Sequence, residues 1–302
     1  MIGARSAAAE VVKKWWPHAA TIVQDFDATL RVASIKAALR EQRLWNLYER
    51  LEALVPDIRD QYTSFALDTE YLRVNVRALH AFQVALALRA LEIVDTSEST
   101  TVVDIGDSAG THLDYLRRLR PDLHLRCLGI NVDEAAVERI RSRGLEAVRS
   151  RAESLSLNGV AADLLLLFET IEHLSDPASF LQRLAQANGR ALVLTTPYVR
   201  QSRVGLHHLR EGRRPIVTPE NTHIFELSPG DWTLLARHAG WRVVDERIYR
   251  QFPQRGILRA MRRRWRRLDF EGFWGAILVP DSEYSRLYTG WTSPGEAGSS
   301  RG

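Results

Sequence analysis

Three side chains suited to metal or acid–base chemistry follow the apolar run LLLLF at positions 164–168. They are Glu169, Glu172 and His173, and on a helix their spacing of i, i+3 and i+4 would place them on one face. Far along the chain, the segment ENTHIFELSP supplies His223. Two carboxylates and two imidazoles can hold a divalent ion such as Mg²⁺ and leave coordination positions open.

The same residues also allow a structural interpretation. Carboxylates and imidazoles after a buried strand can fix neighbouring loops by hydrogen bonds, and such bonds need no metal. The residue types alone leave both interpretations open, a metal site and a loop-fixing element.

A long segment that begins at Pro197, PYVRQSRVGLHHLREGRRPIVTPENTH, is rich in cationic side chains. A loop of this length in a compact domain is usually functional. Arg200 and Arg203 are candidates for binding a phosphate or carboxylate of a substrate. His207 or His208, and also His223, are candidate general bases. The alternative is a solvated basic loop with no part in chemistry.

From position 101 onward, short apolar runs alternate with helical patterns. The runs are TVVDIG, LRCLGIN, LEAVRS, ADLLLLF and RALVLTT, and between them lie THLDYLRRL, DEAAVERIRSR and DPASFLQRLAQA. Two further strands are predicted at WRVVDERIY and FWGAILV. Strand–helix alternation predicts an α/β fold, a parallel sheet with helices on both faces, whose ligands bind at the carboxyl ends of the strands.

The N-terminal part of the chain lacks this alternation. Positions 7–94 show helical periodicity throughout. We therefore expect a helical N-terminal subdomain over 1–98, acting as a cap or in oligomerisation, and an α/β domain over 99–285. A basic helical insert is predicted at 255–270, and the Gly/Ser-rich residues 286–302 are predicted to form a disordered tail.

The first predicted strand runs into a turn, VVDIGDSAGTHL, with the composition of a ligand-binding loop. Asp104 ends the strand, Gly106 and Gly110 open the turn, and a helix follows. Glycine permits a tight turn and close approach of a ligand to the backbone, and the helix N-terminus offers unpaired N–H groups. A dinucleotide-binding dehydrogenase would require Gly-x-Gly-x-x-Gly and an acid on the second strand, and the chain has neither.

Six segments in order resemble the successive motifs of class I S-adenosylmethionine-dependent methyltransferases. They are VVDIGDSAG, CLGINVDEAAVERI, AVRSRAESLSL, ADLLLLFETIEHLSDPASFLQRLA, RALVLTTP and HIFELSPGDWTLLARHAGWRVV. The resemblance spans roughly Thr101 to Val279. It implies a Rossmann-like, seven-stranded, mostly parallel sheet whose last strand is antiparallel, and S-adenosyl-L-methionine as the cofactor.

The resemblance also assigns residues to parts of that cofactor. The glycine turn would hold the methionine end, the end of the second strand would hold the ribose, and the stretch after the third strand would hold the adenine. The cofactor-binding residues implied in this way are Asp104, Gly106, Ser108, Gly110, Asn131, Ala152, Glu153 and Phe168.

Two of these positions depart from the family pattern. The ribose position is usually acidic, but here it is Asn131, whose amide can accept from a hydroxyl without the help of charge. The adenine position is usually Asp, but the sequence reads SRA at 150–152, where Ala152 can offer its N–H and Glu153 can accept from the exocyclic amine. Asp133 is expected to cap the next helix rather than replace the missing acid. Both departures would weaken cofactor binding.

The segment after the fourth strand resembles a Glu-x-x-Glu-His motif of small-RNA 3′-end 2′-O-methyltransferases and of the O-methyltransferases of ubiquinone biosynthesis. In both, the motif acts with a later histidine, and a metal lowers the pKa of the hydroxyl that attacks the methyl group. Transferred onto this chain, the metal ligands would be Glu169, Glu172, His173 and His223.

These features together favour methyl transfer to a hydroxyl on a sugar, glycolipid or related anionic metabolite. Transfer to the 2′-hydroxyl of an RNA 3′ end is an alternative, although no recognised RNA-binding module is visible and nucleic acid is therefore not the favoured partner. A catalytically silent methyltransferase-like interaction module is a further alternative, which the departures at Asn131 and Arg151 motivate.

The cysteine content, the length of the apolar runs and one basic helix bear on the cellular location of the protein. The single cysteine excludes an internal disulfide, and no apolar run approaches the ~20 residues of a membrane span. We therefore expect a cytoplasmic protein.

The basic helix RGILRAMRRRWRRLDF predicts peripheral contact with an anionic membrane, with Trp265 anchored in the interface. The alternative is a packing helix with a solvated basic face. The sequence makes no prediction about oligomeric state.

Overall fold

The computed structural model describes residues 17–63, 66–94, 99–155, 162–187, 189–205, 223–267 and 271–281. The predicted general bases His207 and His208, and the predicted tail at 286–302, lie outside these residues. What the sequence predicts for those positions stays a prediction.

The described residues of the N-terminal region form three helices: α1 (Pro17–Glu41), α2 (Trp45–Leu54) and α3 (Glu70–Ile93). Helix α3 begins after Thr69, whose Oγ1 accepts a hydrogen bond from the Leu72 N–H at 3.2 Å, as N-terminal capping residues do. No strand occurs among the described residues before position 99, in agreement with the helical periodicity of the sequence.

Nine strands follow in the described part of the chain. They are β1 (Thr100–Ile105), β2 (Leu125–Asn131), β3 (Glu146–Arg149), β4 (Leu164–Phe168), β5 (Ala191–Pro197), β6 (Arg203–Val204), β7 (Phe225–Glu226), β8 (Trp241–Arg250) and β9 (Gly272–Pro280). Strands β6 and β7 pair with each other in a separate antiparallel ribbon.

The other seven strands form one sheet in the order β3–β2–β1–β4–β5–β9–β8. Strands β1 to β5 are parallel, whereas β9 is antiparallel to both of its neighbours, β5 and β8. The prediction of a mostly parallel, Rossmann-like sheet with an antiparallel last strand is therefore confirmed. Because β1 to β5 are parallel, their carboxyl ends meet at one edge of the sheet, where ligands of this architecture bind.

Five α-helices accompany the sheet in the described ranges. They are α4 (Thr111–Leu119), α5 (Glu134–Ser142), α6 (Pro177–Gln186), α7 (Pro229–His238) and α8 (Arg262–Arg267). Local chemistry fixes where several of them begin. The Asp176 carboxylate accepts from the Ser179 N–H at 3.1 Å to begin α6, and Asp133 accepts from the Ala135 N–H at 3.0 Å to begin α5, as predicted for that residue.

Each face of the sheet has its own apolar core. On one face, Phe82 of α3 packs with Leu166, Val193 and Ile277 of the sheet, and helices α4 and α5 join the same cluster. Helices α6 and α7 cover the other face, where Trp232 is fully buried. Because α3 shares a continuous core with the sheet, burial of this apolar area couples the N-terminal helices to the α/β region. The division into domains at position 98 stays a prediction.

The predicted role of Trp265 as a membrane anchor is wrong. The residue lies in α8, but its side chain is only 1% exposed and belongs to the core shared with α3. Its ring also stacks on Tyr71, with ring centroids 6.3 Å apart. Ile257, by contrast, is an apolar residue of this insert that does reach solvent, at 94% exposure. No helix in the described ranges has both the length and the apolar character of a membrane span.

We expect Trp265→Ala to lower the free energy of unfolding by about 3–5 kcal/mol, because it removes a large buried side chain from the shared core. Chemical denaturation of the full chain measures this change. Arg263→Ala is the matched control on the exposed side of α8 and should change stability by no more than ~0.5 kcal/mol. Equal denaturation midpoints for Trp265→Ala and the wild type would show that the indole is not a packing residue.

Candidate active site

A cavity of about 440 Å³ opens at the carboxyl ends of β1 and β4. Six of the eight residues predicted to bind cofactor line it: Asp104, Gly106, Ser108, Asn131, Ala152 and Phe168. Gly110 does not line the cavity but begins α4 behind it. The side chain of Glu153 lies outside the described part of the structure. The cavity therefore has the position that the sequence predicted for the cofactor.

The glycine turn leaves no room for a side chain at Gly106. Its φ is +95°, a backbone conformation that only glycine adopts without strain, and an added Cβ would lie 2.2 Å from Thr170 Oγ1. The Gly106 N–H donates to the Ile130 carbonyl at 2.8 Å, which joins the turn to β2. Position 106 therefore keeps the cavity wall open at the backbone, as a closely approaching ligand requires.

Asp107 supplies an internal anion to the start of α4. One of its carboxylate oxygens, Oδ1, accepts from the N–H groups of Ala109 at 3.0 Å and Gly110 at 2.7 Å. These N–H groups are ones that would otherwise face a phosphate at a helix N-terminus. The other oxygen, Oδ2, is buried without a hydrogen-bond partner. The carboxylate thus engages N–H groups that a pyrophosphate at this helix N-terminus would need, which argues against dinucleotide binding.

A buried chain of hydrogen bonds links His112, which lies beside Asp104, to strand β5. The Gln83 amide donates to Thr195 Oγ1 at 3.1 Å, so its oxygen accepts from His112 Nε2–H at 2.9 Å. The remaining nitrogen of His112, Nδ1, then faces Asp104 Oδ2 at 3.4 Å. Burial lowers the pKa of His112 to about 4, so this contact is not an ion pair at neutral pH.

The two aspartates of the turn are costly to ionise. Burial raises the pKa of Asp104 to about 8. Burial, followed by the charge of Asp104, raises the pKa of Asp107 to about 7. Because Asp104 Oδ2 has no hydrogen-bond partner in the described structure, nothing compensates its charge. A cationic ligand in the cavity would compensate it, which fits the ammonium and sulfonium groups of S-adenosylmethionine.

Residues of the N-terminal helices also line this cavity, and the sequence interpretation missed them. Gln61 and Tyr62 come from the segment between α2 and α3, and Leu79, His80 and Gln83 come from α3. Gln61 donates to Ser108 Oγ at 3.3 Å and accepts from Thr111 Oγ1 at 2.6 Å.

One pattern in the sequence could have revealed part of this contribution. Arg77, His80 and Gln83 recur every third residue on a helix whose buried residues are otherwise apolar, and all three are buried. Buried polar residues on one helical face need polar partners. No comparable signal identifies Gln61 or Tyr62.

The structure places Asn131 in the cavity wall but engages its side chain locally. Its Nδ2 donates to the Asp107 carbonyl at 2.8 Å, and its Oδ1 accepts from the Asp133 N–H at 2.8 Å. A carboxylate could not make the first of these bonds because it has no donor. The amide therefore fixes the glycine turn against the end of β2, a role that an acid at the family's ribose position could not take.

Three of the four predicted metal ligands come together beside the cavity. Ligand atoms of Glu172, His173 and His223 lie within 4.8 Å of one another, and the two imidazole rings lie 4.9 Å apart in an edge-to-face arrangement. Glu172 is 0% exposed, and neither of its carboxylate oxygens has a hydrogen-bond partner in the described structure. Burial raises the pKa of Glu172, while the two imidazoles oppose that shift.

The ribbon of β6 and β7 positions His223. Its Nδ1 and Glu226 Oε1 lie 2.8 Å apart in a hydrogen bond, and Arg203 forms an ion pair with the same carboxylate. The Ile224 N–H donates to the Glu172 carbonyl at 2.7 Å, which joins the ribbon to the turn after β4. Arg203, predicted as a substrate ligand, therefore lies in the support of His223.

Glu169 is the predicted metal ligand that lies outside this group of three. It lines the cofactor cavity with a positive φ of 49°, an uncommon conformation that costs a non-glycine residue free energy. Its Oε1 is buried without a hydrogen-bond partner. Burial, followed by the charge of Glu172, raises its pKa well above the usual value.

Arg200, the other predicted substrate ligand, lies elsewhere on the same edge of the sheet. Its guanidinium forms an ion pair with Glu271 at 3.1 Å. That carboxylate is shared with Arg250 at 3.5 Å and Arg266 at 3.1 Å. Arg200 and Arg203 therefore belong to two separate groups.

With this geometry established, comparison with known proteins identifies the family. A model of the methyltransferase domain matches residues 76–246, which is more than half of the chain. The chain belongs to the class I S-adenosylmethionine-dependent methyltransferases. No curated protein matches it significantly.

Solved structures are similar to this chain at low sequence identity. The proposed sarcosine dimethylglycine methyltransferase of Galdieria sulphuraria has a TM-score of 0.50 and 12% identity, over 70% of this chain and 87% of that one. The 1,6-didemethyltoxoflavin-N1-methyltransferase of Burkholderia thailandensis, solved with S-adenosylhomocysteine and 1,6-didemethyltoxoflavin, has a TM-score of 0.47 and 15% identity, over 78% and 87% of the two chains. The likeness to the Galdieria sulphuraria structure shows a shared fold and leaves the methyl acceptor open.

The buried aspartate pair predicts an unusual pH dependence of stability. Because the folded state raises the pKa of Asp104 to about 8, it holds a proton that the unfolded chain has released, and stability falls as pH rises through this range. Asp104→Asn removes this contribution. The free energy of unfolding of the variant, relative to that of the wild type, should therefore increase by roughly 1 kcal/mol per pH unit between pH 6.5 and 8.

Urea denaturation of both proteins at several pH values measures this difference. The window above pH 6.5 avoids the opposite contribution of His112, whose depressed pKa of about 4 adds stability only as pH rises toward the ordinary histidine value. Asp122→Asn is a suitable control, because that carboxylate is exposed beside Arg120. Parallel pH profiles for wild type and Asp104→Asn would contradict the assignment.

Proposed function

We propose that this methyltransferase transfers the methyl group of S-adenosylmethionine to a hydroxyl, with a divalent ion such as Mg²⁺ held by Glu172, His173 and His223. The observation that carries the proposal is the pair of buried, unpartnered oxygens of Glu172 beside two imidazoles at the edge of the cofactor cavity. A buried carboxylate without a partner is costly, and a hard cation would remove that cost.

The donor set fits a metal. Glu226 accepts a hydrogen bond from Nδ1–H of His223, which leaves Nε2 as the nitrogen available to an ion. Carboxylate–histidine pairs of this kind orient the ligands of metal sites and raise their basicity. Arg203 in turn holds the Glu226 carboxylate. We assign Arg203 to this support rather than to the substrate, and Glu169 to the cavity wall rather than to the metal.

A bound divalent ion would lower the pKa of the acceptor hydroxyl so that the alkoxide is available near neutral pH. The residues of the chain supply the positioning. His173 belongs both to the three proposed metal ligands and to the cavity wall. The acceptor would therefore lie between the metal and the cofactor. The glycine turn, Asp104 and Phe168 would hold the cofactor, and the walls of the cavity would keep its reacting group in one orientation.

For the acceptor we favour a hydroxyl on a sugar, glycolipid or related anionic metabolite. This part of the proposal rests on the excess of arginine beyond the carboxyl end of β5. General-base roles for His207 and His208, cofactor contacts by Ala152 and Glu153, a cytoplasmic location and contact with an anionic membrane surface are further parts of the proposal. Nucleic acid is not the favoured acceptor.

A structural role for the cluster is the competing account. The hydrogen bond from the Ile224 N–H to the Glu172 carbonyl supports it, because this bond already ties the ribbon to the turn after β4. The local engagement of Asn131 similarly supports a module that binds cofactor weakly or performs no catalysis. Only the metal proposal expects a chelator to abolish methyl transfer, so treatment with a chelator distinguishes it from these accounts.

We expect His223→Ala and Glu172→Gln to lose the tight site for a divalent cation and to retain binding of S-adenosylhomocysteine. The reason is that each change removes one ligand of a hard cation and leaves the glycine turn intact. Titration calorimetry with Mn²⁺ as the probe, and separately with S-adenosylhomocysteine, measures both properties without a known acceptor. The control is His124→Ala, an exposed histidine remote from the cluster.

The structural account gives a different result. Glu172→Gln and His223→Ala would then lower the unfolding free energy, and wild type and variants would bind Mn²⁺ equally weakly. Once an acceptor is found, full turnover by chelator-treated enzyme would also reject the metal proposal.

A further inference from the structure

One carboxylate collects several arginines from distant parts of the chain. Glu271 precedes β9 and is buried, and it contacts Arg200 after β5, Arg250 at the end of β8 and Arg266 in α8. Arg200 contacts both carboxylate oxygens, at 3.1 and 3.3 Å. We call this group, together with the neighbouring Arg262, the Glu271 cluster.

Among the residues that the structure describes, the charges in the Glu271 cluster do not balance. Three guanidinium groups share a single carboxylate, and in the described part of the chain no acidic side chain lies within ion-pair distance of Arg262. The charge of Arg266, followed by those of Arg259 and Arg200, lowers the pKa of Arg262, whereas Glu271 raises it. Arginine is rarely concentrated in this way for stability alone, because like charges repel.

Several guanidinium donors in the cluster remain available. Arg250 and Arg266 each direct one N–H group at Glu271, and a guanidinium has five in a planar fork. The side chains of Arg200, Arg250 and Arg266 are 52%, 25% and 37% exposed, so they reach solvent while their positions are fixed by Glu271. Arg250 also lies over the ring of Tyr198, 5.2 Å from its centroid, which further restricts its orientation.

We propose that the Glu271 cluster is a binding site for a phosphate group, such as a phosphomonoester or a pyrophosphate. Phosphate matches the planar fork of arginine through paired charge-assisted hydrogen bonds. Glu271 acts as the positioning residue, because it holds three guanidinium groups in place before the anion arrives. A phosphate would then neutralise the charge that the carboxylate leaves unbalanced.

The site lies on the same edge of the sheet as the cofactor cavity. Strands β5 and β8 end there and β9 begins there, because β9 alone is antiparallel. Strand β9 is two positions from β4 in the sheet, a separation of roughly 10 Å at ~4.8 Å per strand. If the proposed function is correct, the acceptor carries its phosphate about that far from the methylated hydroxyl. Phosphate binding itself does not depend on that function.

Calorimetric titration of inorganic pyrophosphate into the full chain at low ionic strength tests the site without cofactor, metal or acceptor. We expect saturable binding that weakens with added salt. Arg266→Gln and Arg262→Gln should each weaken binding by about tenfold, the effect of losing one charge-assisted hydrogen bond. Arg262→Gln is the cleaner variant, because it breaks no ion pair of the described structure and should fold normally.

Two further variants test how the charge at Glu271, and the loss of a distant arginine, affect the affinity for pyrophosphate. Glu271→Gln should strengthen pyrophosphate binding several-fold, because the amide oxygen can still accept from the guanidinium groups and hold them in place, whereas the competing negative charge is removed. Arg126→Gln, which breaks an exposed ion pair on the β2–β3 side of the sheet, should leave the affinity unchanged. No binding by the folded wild type, or an equal loss in Arg126→Gln and Arg262→Gln, would overturn the proposal.

A second arm distinguishes a soluble phosphate from a lipid headgroup. Sedimentation with phosphatidylglycerol vesicles and with phosphatidylcholine vesicles measures membrane association of the same variants. Preference for the anionic vesicles that is lost in Arg262→Gln identifies a lipid phosphate as the ligand. Pyrophosphate binding without vesicle binding identifies a soluble one. Absence of both contradicts the site, whatever the methyltransferase assays show.

Discussion

The side chain of Gln83 makes the contact on which the arrangement of the active site depends. It donates to Thr195 of β5 and accepts from His112 of α4, so a single amide joins α3, the sheet and the helix that follows the glycine turn. Its orientation determines which nitrogen of His112 carries the proton, and therefore what Asp104 faces. Buried hydrogen bonds of this kind specify one packing arrangement, because any other leaves polar groups without partners.

This contact explains why the N-terminal helices cannot be treated as a simple appendage. Helix α3 buries apolar side chains against the sheet and also provides part of the cavity wall. The segment between α2 and α3 adds Gln61 and Tyr62 to the same cavity. Burial raises the pKa of Tyr62 to about 12, and the nearby Glu169 acts in the same direction. Cofactor binding and packing of the N-terminal region should therefore be coupled energetically.

The edge of the sheet where strands β1 to β5 end has an acidic part and a basic part. Asp104, Asp107, Glu169 and Glu172 are gathered at the ends of β1 and β4, where a cationic cofactor and a divalent ion would offset their charge. The Glu271 cluster lies beyond β5 and carries an excess of positive charge. An acceptor methylated at one end and phosphorylated at the other would match both parts of this surface.

The sequence predicted the sheet and the glycine turn well, because both depend on local patterns. Each apolar run of the α/β region became a strand, and Gly106 adopts the positive φ that its place in the turn requires. Contacts between distant segments were not predictable in this way. Trp265 had the spacing of a membrane-facing stripe but packs into the core, and Asn131 hydrogen-bonds to the turn.

The metal group was predictable only in part, for the same reason. The spacing of Glu169, Glu172 and His173 assumed a regular helix, whereas the chain forms a short 3₁₀ turn at Ile171–His173 after a left-handed residue. Three residues per turn distribute side chains differently from the 3.6 of an α-helix. This difference separates Glu169 from the two residues that follow it.

Titration calorimetry of the full chain with S-adenosylhomocysteine tests the central claim most directly, that the cavity at the glycine turn is the cofactor site of a methyltransferase. We predict one binding site in the wild type and none detectable in Gly106→Val, whose side chain would enter the cavity wall at Thr170. Circular dichroism should show that the variant keeps its secondary structure. A folded wild type that binds no S-adenosylhomocysteine, or a folded Gly106→Val variant with unchanged affinity, would contradict the account.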